Sequence, residues 1–149
     1  MTVLRACTLV VAALLLQSAL SLLLPAYAVL FDPFLIITVF VCLTRGEGAG
    51  MLVGAAAAWA QDLAFGGPVL GLLGLARILT AYAVGYTGRR FLISNFLAQS
   101  ATLFIAAVFE VPLRELPVLT ILERAVVNAI IGAGVFQLVE RRLRREPAL

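Results

Sequence analysis

Long apolar runs, broken at a few points by proline, glycine or charge, make up nearly all of this chain. The first runs from Val3 to Leu24, carries Arg5 near its start, and is interrupted only by Thr8, Gln17, Ser18 and Ser21. Ala26-Tyr27-Ala28 would suit a signal-peptide cleavage site, but the apolar core exceeds the 7–15 residues of a signal h-region, so a retained helix is expected. Phe34 to Leu43 is apolar but too short to span a bilayer, and a second helix beginning near Tyr27, with a kink or a late start at Asp32-Pro33, supplies the length. The remaining runs predict helices at about 48–65, 68–86, 94–109 and 118–140, after earlier ones at about 3–24 and 27–43. Gly66-Gly67-Pro68 forms a hinge, Gly88-Arg89-Arg90 a turn, and Glu110 to Pro117 a short polar connection. The expected fold is all-α: a polytopic bundle of six transmembrane helices in a single domain, residues 1–149.

Composition supports a membrane setting. The chain is 63% hydrophobic and 13% charged, against roughly 25% charged in soluble domains. Six spans would put both termini on one side. Arg5, Arg45, Arg89, Arg90, Arg141, Arg142, Arg144 and Arg145 would then share that side, leaving Arg114 opposite. The positive-inside rule makes that side cytoplasmic. The formal +3 charge is thus spent at helix ends, which argues against a nucleic-acid partner. The C-terminal arginines read first as a topology signal and second as an attraction to anionic membrane lipid, about 1 kcal/mol per arginine. Cys7 and Cys42, with no histidine, leave a metal site of the usual kind without ligands, and no cofactor is expected.

Small residues recur at helical spacing. Gly46, Gly50, Gly54, Ala58 and Asp62 stand four apart, a ridge that lets a neighbouring helix approach closely. Gly66, Gly71 and Gly85 extend this packing or partner surface, and Ala125, Ala129 and Ala133 form a second ridge. Whether the first ridge meets a partner or its own bundle is open, with the internal contact favoured. Asp62, Arg77, Glu123, Arg124 and Asn128 are polar within the expected spans, where a charge costs roughly 2.5–3.5 kcal/mol unless it pairs or snorkels. Arg77 is expected to pair with Asp62 or Glu123, and Asn128 to make an internal hydrogen bond. Ser94 and Ser100 lack a histidine partner, and Gly71, Gly74 and Gly85 are read as helical and without a following lysine, so neither a nucleophile nor a phosphate loop is recognised. No catalytic residue is assigned, and the chain is expected not to be an enzyme.

Gly50-xxx-Gly54-xxx-Ala58-xxx-Asp62-xxx-Gly66, then Gly67-Pro68, Gly71, Tyr82 and Gly85 before arginines, with Asp32-Pro33 and Arg45-Gly46 upstream, resembles the rod-shape-determining membrane protein family MreD over residues 32 to 90. Asp32-Pro33 reverses that family's Pro-Asp order, and Arg77 is an added charge. The resemblance implies a non-enzymatic subunit of the machinery that builds the lateral peptidoglycan wall in rod-shaped bacteria. Its implied partners are MreC, MreB, RodA and a class B penicillin-binding protein. The alternative is a substrate-binding S component of an energy-coupling-factor vitamin transporter, whose members are similar small six-helix proteins and for which Ala56-xxx-Ala60 would suit the coupling interface. An ion or proton pathway through Asp62, Arg77, Glu123 and Asn128 is a third expectation.

Overall fold

The computed structural model describes residues 3–66, 71–91, 101–106 and 117–145. All the elements among them are helices: α1 (Val3–Leu23), α2 (Pro25–Ala28), α3 (Pro33–Arg45), α4 (Glu47–Phe65), α5 (Leu72–Phe91), α6 (101–106) and α7 (Val118–Arg145). Three stretches are long and apolar enough to cross a membrane, Arg5–Leu23, Pro25–Arg45 and Leu119–Leu138.

The central helix is α3. Eight of its thirteen residues are buried, among them Phe34, Leu35, Val39 and Cys42, and α1, α4, α5 and α7 all pack against it. Its start is set locally. Asp32 occupies the N-cap with its carboxylate accepting from the Leu35 N–H at 3.1 Å, and Pro33 stands at the first helical position, where its missing N–H costs nothing. Of the two sequence expectations for this region, the late start holds. Pro25–Ala28 forms one short turn, and the chain re-enters helix only after the Asp32 cap.

Gly46 alone joins α3 to α4, at φ 93°, a conformation that a residue with a Cβ rarely adopts. The two helices therefore return on each other at once, and the small-residue ridge is the contact. A Cβ at Gly50 would run into the Cys42 side chain, and one at Gly54 would stand 2.9 Å from Thr38 Cγ2 and 3.5 Å from the Arg77 carbonyl oxygen. Ala58 is fully buried on the same ridge. The second face of α4 meets α5, where Gly85 lies against the Glu47 backbone and Gly74 against Trp59. The ridge is thus used inside the molecule.

Gly46, Gly66 and Gly71 do other work than packing. Gly46 is the link just described, while Gly66 (φ 73°) and Gly71 (φ 87°) turn the chain, and an added Cβ at either of these two would meet nothing within 4 Å. Gly71 therefore precedes α5 instead of lying in it. The proposed hinge residues Gly67 and Pro68, and a helix start at 68, lie outside the described residues. So do Ser94, Ser100, Glu110, Arg114, Glu115 and the polar connection around them. Gly88-Arg89-Arg90 is helical, not a turn. Arginine is a strong helix former, and Gly88 sits where a Cβ would come within 2.9 Å of Leu43, so closeness to α3 explains the glycine. Likewise α7 continues through Arg145 and does not stop at 140.

Directions follow from the contacts. Helices α3, α5 and α7 run the same way, since Asp32 meets Arg77 and Arg124 at one end while Leu43 approaches Gly88, and Phe40 meets the Phe136 ring (5.3 Å between centroids) further along. Helices α1 and α4 run oppositely. Arg5, Arg45, and the backbone of Arg89, Arg90 and Arg141 to Arg145 consequently gather at one end, called here the arginine end, with Asp32 towards the other.

The ridge yields a direct test. Gly54→Leu inserts bulk between α3, α4 and α5 and is expected to destabilise by about 1–3 kcal/mol or more, whereas Leu52→Ala, at a residue 76% exposed, should be close to neutral. Thermal unfolding of both variants in mild detergent checks this, and equal shifts would remove the packing argument.

Candidate functional site: a buried ionic clasp

One carboxylate gathers the polar side chains of three helices. Asp32 is 1% exposed at the head of α3. Its Oδ2 lies 2.8 Å from an Arg77 guanidinium nitrogen on α5 and 2.5 Å from one of Arg124 on α7. Its Oδ1 takes the Leu35 N–H, so both oxygens are engaged. Asp32 is fitted for this because an N-cap carboxylate is already held by the helix start and its partial positive charge. Two guanidinium donors then converge on an anion whose orientation is fixed before they arrive.

The surroundings complete the geometry. Arg77, wholly buried, places its guanidinium carbon 5.7 Å from the centre of the Phe34 ring, a cation–π arrangement at the second residue of α3. Arg124 also donates to the Val29 carbonyl at 3.0 Å. Asn128, four residues on along α7, accepts the Asp32 backbone N–H at 2.8 Å and donates to the carbonyls of Leu30 (2.9 Å) and Arg124 (2.8 Å). These partners determine which way its amide faces, because a backbone N–H can meet only the amide oxygen. The carbonyls of residues 29 and 30, left over where α2 ends and α3 has not begun, are thereby satisfied from α7.

The clasp revises the pairings expected from sequence. Arg77 meets Asp32, not Asp62 or Glu123. Asp62 is buried, but its Oδ2 accepts the Gly71 N–H at 3.0 Å, which ties the end of α4 to the start of α5. Glu123 is exposed, because it lies on the α7 face turned away from Arg124 and Asn128. Arg124 and Asn128 do come together, and Asn128 makes the internal hydrogen bonds expected of it. Ala125, Ala129 and Ala133 are buried, and Gly132 lets α7 approach Leu103 and Ile36.

Sequence reasoning missed Asp32 as the centre, because an Asp before Pro reads as a helix boundary and therefore as a loop residue. Its signal was arithmetic: two arginines inside apolar runs need an acid of comparable depth, and Asp32 is flanked by apolar residues on both sides. Gln17, Gln61 and Thr80 were also passed over. All three are buried, and among the described residues Gln17 Oε1, Gln61 Oε1 and Thr80 Oγ1 have no hydrogen-bond partner.

Chemically the clasp is an electrostatic fastening. It holds the carboxylate as an acceptor and the guanidinium groups as donors, and each member offsets part of the cost of burying the others. No group of three or more histidine, cysteine or acidic side chains that would hold a metal ion occurs among the described residues.

No family model matches the chain, and no curated protein or solved structure matches it. The fold and site define an all-helical protein with three helices long and apolar enough to cross a membrane, fastened by a buried Asp–Arg–Arg–Asn cluster.

Removing the anion strands two buried cations. Asp32→Asn is expected to lower the stability of the detergent-solubilised protein by about 3–5 kcal/mol, while Glu123→Gln should change it by no more than about 0.5 kcal/mol. Paired thermal denaturation curves measure the difference. A near-neutral Asp32→Asn would mean that the clasp does not bear on stability.

Proposed function

We propose that this chain is a non-enzymatic, multi-pass subunit of the bacterial cell-elongation complex, resembling MreD and supporting lateral peptidoglycan synthesis through helix-to-helix contacts. It is a bundle of six spans in the cytoplasmic membrane, with both termini and the arginine end in the cytoplasm. The observation that carries the assembly reading is that small residues face inward and large apolar ones outward. The small-residue ridges of α4 and α7 are consumed internally, while α1, α4, α5 and α7 keep large apolar side chains outward, among them Leu15 and Leu22 on α1, Leu52 and Leu63 on α4, Leu75 on α5 and Leu138 on α7.

A polytopic subunit with a self-sufficient core and bare outer helices suits a membrane scaffold. Helices α4 and α5, at 19 and 20 residues, have the length to span the hydrocarbon as well, near 1.5 Å per residue. Gathering eight arginine positions at one end supports the proposed orientation. The partners on this reading are the membrane helix of MreC, MreB at the cytoplasmic face, and RodA with its class B penicillin-binding protein.

The second reading, an energy-coupling-factor S component, is favoured by one observation: α1, α3, α4, α5 and α7 each bring a buried polar side chain towards the Asp32 end, where such a protein would hold its vitamin. Gentle solubilisation of the tagged protein from its native membrane, followed by mass spectrometry of co-purified proteins and small molecules, separates the two. The elongation reading expects a single-span periplasmic scaffold and a wall polymerase. An ATPase-coupled membrane subunit with bound vitamin would replace it with the transporter reading.

A further inference from the structure

Two of the buried side-chain oxygens without partners belong to glutamines on neighbouring helices, and the packing brings them to one level. Ala13 of α1, Phe34 of α3 and Ala57 of α4 belong to a single apolar cluster. Gln17 lies one turn beyond Ala13, and Gln61 one turn beyond Ala57. Because α1 and α4 run in the same direction, both turns lead towards the Asp32 end.

Two further contacts fix the height. The Gln17 amide nitrogen donates to the Ala28 carbonyl at 2.9 Å, in the stretch leading to α3. Along the α3–α4 contact, Gly50 faces Cys42 and Gly54 faces Thr38, so each step forward on α4 is an equal step back on α3, and Gln61 arrives beside residues 31–32. Both glutamines are only 8% exposed, and both side-chain oxygens lack a protein partner. Thr80 is separate, since it lies a turn towards the arginine end from Arg77.

A carboxamide buried dry forfeits its hydrogen bonds. A buried water, typically making about three hydrogen bonds, restores them where a site is polar and bounded. The Ala13–Phe34–Ala57 cluster provides an apolar floor, and the two carboxamides provide the polar wall above it. We propose that Gln17 and Gln61 line an internal hydration site between α1, α3 and α4, filled by water reaching it from the Asp32 end. The site stands on the α1 side of the clasp, with Phe34 forming part of its floor and carrying the Arg77 guanidinium. Water here raises the local dielectric beside that buried cation.

The inference is independent of which complex the protein joins. Full-length Cys7→Ser protein carrying Gln61→Cys, Gln17→Cys or Ala57→Cys is purified in mild detergent and treated with a charged, water-soluble methanethiosulfonate reagent, with the buried native Cys42 as baseline. Modification of the 61 and 17 thiols at least ten times faster than that of the 57 thiol is the expected result. Protection of all three alike would overturn the proposal. Should the cysteine variants fail to purify as monodisperse protein, Gln61→Leu decides. A rise in its thermal midpoint marks a dry, unsatisfied carboxamide and overturns the proposal, and no rise supports it.

Discussion

Everything at one end of this molecule depends on a single negative charge held where lipid or protein, and not bulk water, surrounds it. The Asp32 carboxylate is fixed by its own helix start and then shared by Arg77 and Arg124. Either arginine alone in an apolar run would be costly, and the carboxylate alone would be costlier than a neutral cap. Together they convert three liabilities into a joint between α3, α5 and α7. The joint also gives α7 its register, because Asn128 and Arg124 close the carbonyls left open before α3, and the small faces of Ala129, Gly132 and Ala133 follow at helical spacing.

The other half of the architecture rests on closeness. Helices α3, α4 and α5 lie against one another through glycine and alanine, so their backbones approach where larger side chains would hold them apart. That proximity lets Cys42 donate to the Ala81 carbonyl, 2.7 Å away on α5, and it leaves no room for a side chain at Gly50 or Gly85. The polar clasp and the tight ridge are complementary. One specifies which helices meet, and the other sets how near they come.

Much of this was legible in the chain itself. The apolar runs announce most of the helices, and the four-residue spacing of Gly50, Gly54 and Ala58 announces a packed ridge, because helix periodicity is a local property. The partner of Arg77 was not legible in the same way. Pairing across 45 residues depends on which helices become neighbours, and Asp62, in the adjacent helix, was the nearer candidate along the chain. Glycines were ambiguous for a related reason. Gly54 and Gly66 look alike in sequence, yet one is small because Thr38 is close and the other because the chain turns at positive φ. Asp32 and Arg77, each conspicuous alone in the sequence, turn out to touch each other.

The clasp also imposes an order on biosynthesis. Asp32 leaves the ribosome 45 residues before Arg77 and 92 before Arg124, so while α3 and α4 are being made its carboxylate has neither guanidinium beside it. The α3–α4 hairpin, closed by Gly46 alone, can settle at once, but the pairing at the head of α3 must wait for α5. Its final seating awaits α7. A nascent chain halted before Arg124 would therefore display an unfinished acidic corner, with Asp32 lacking one of its two cations.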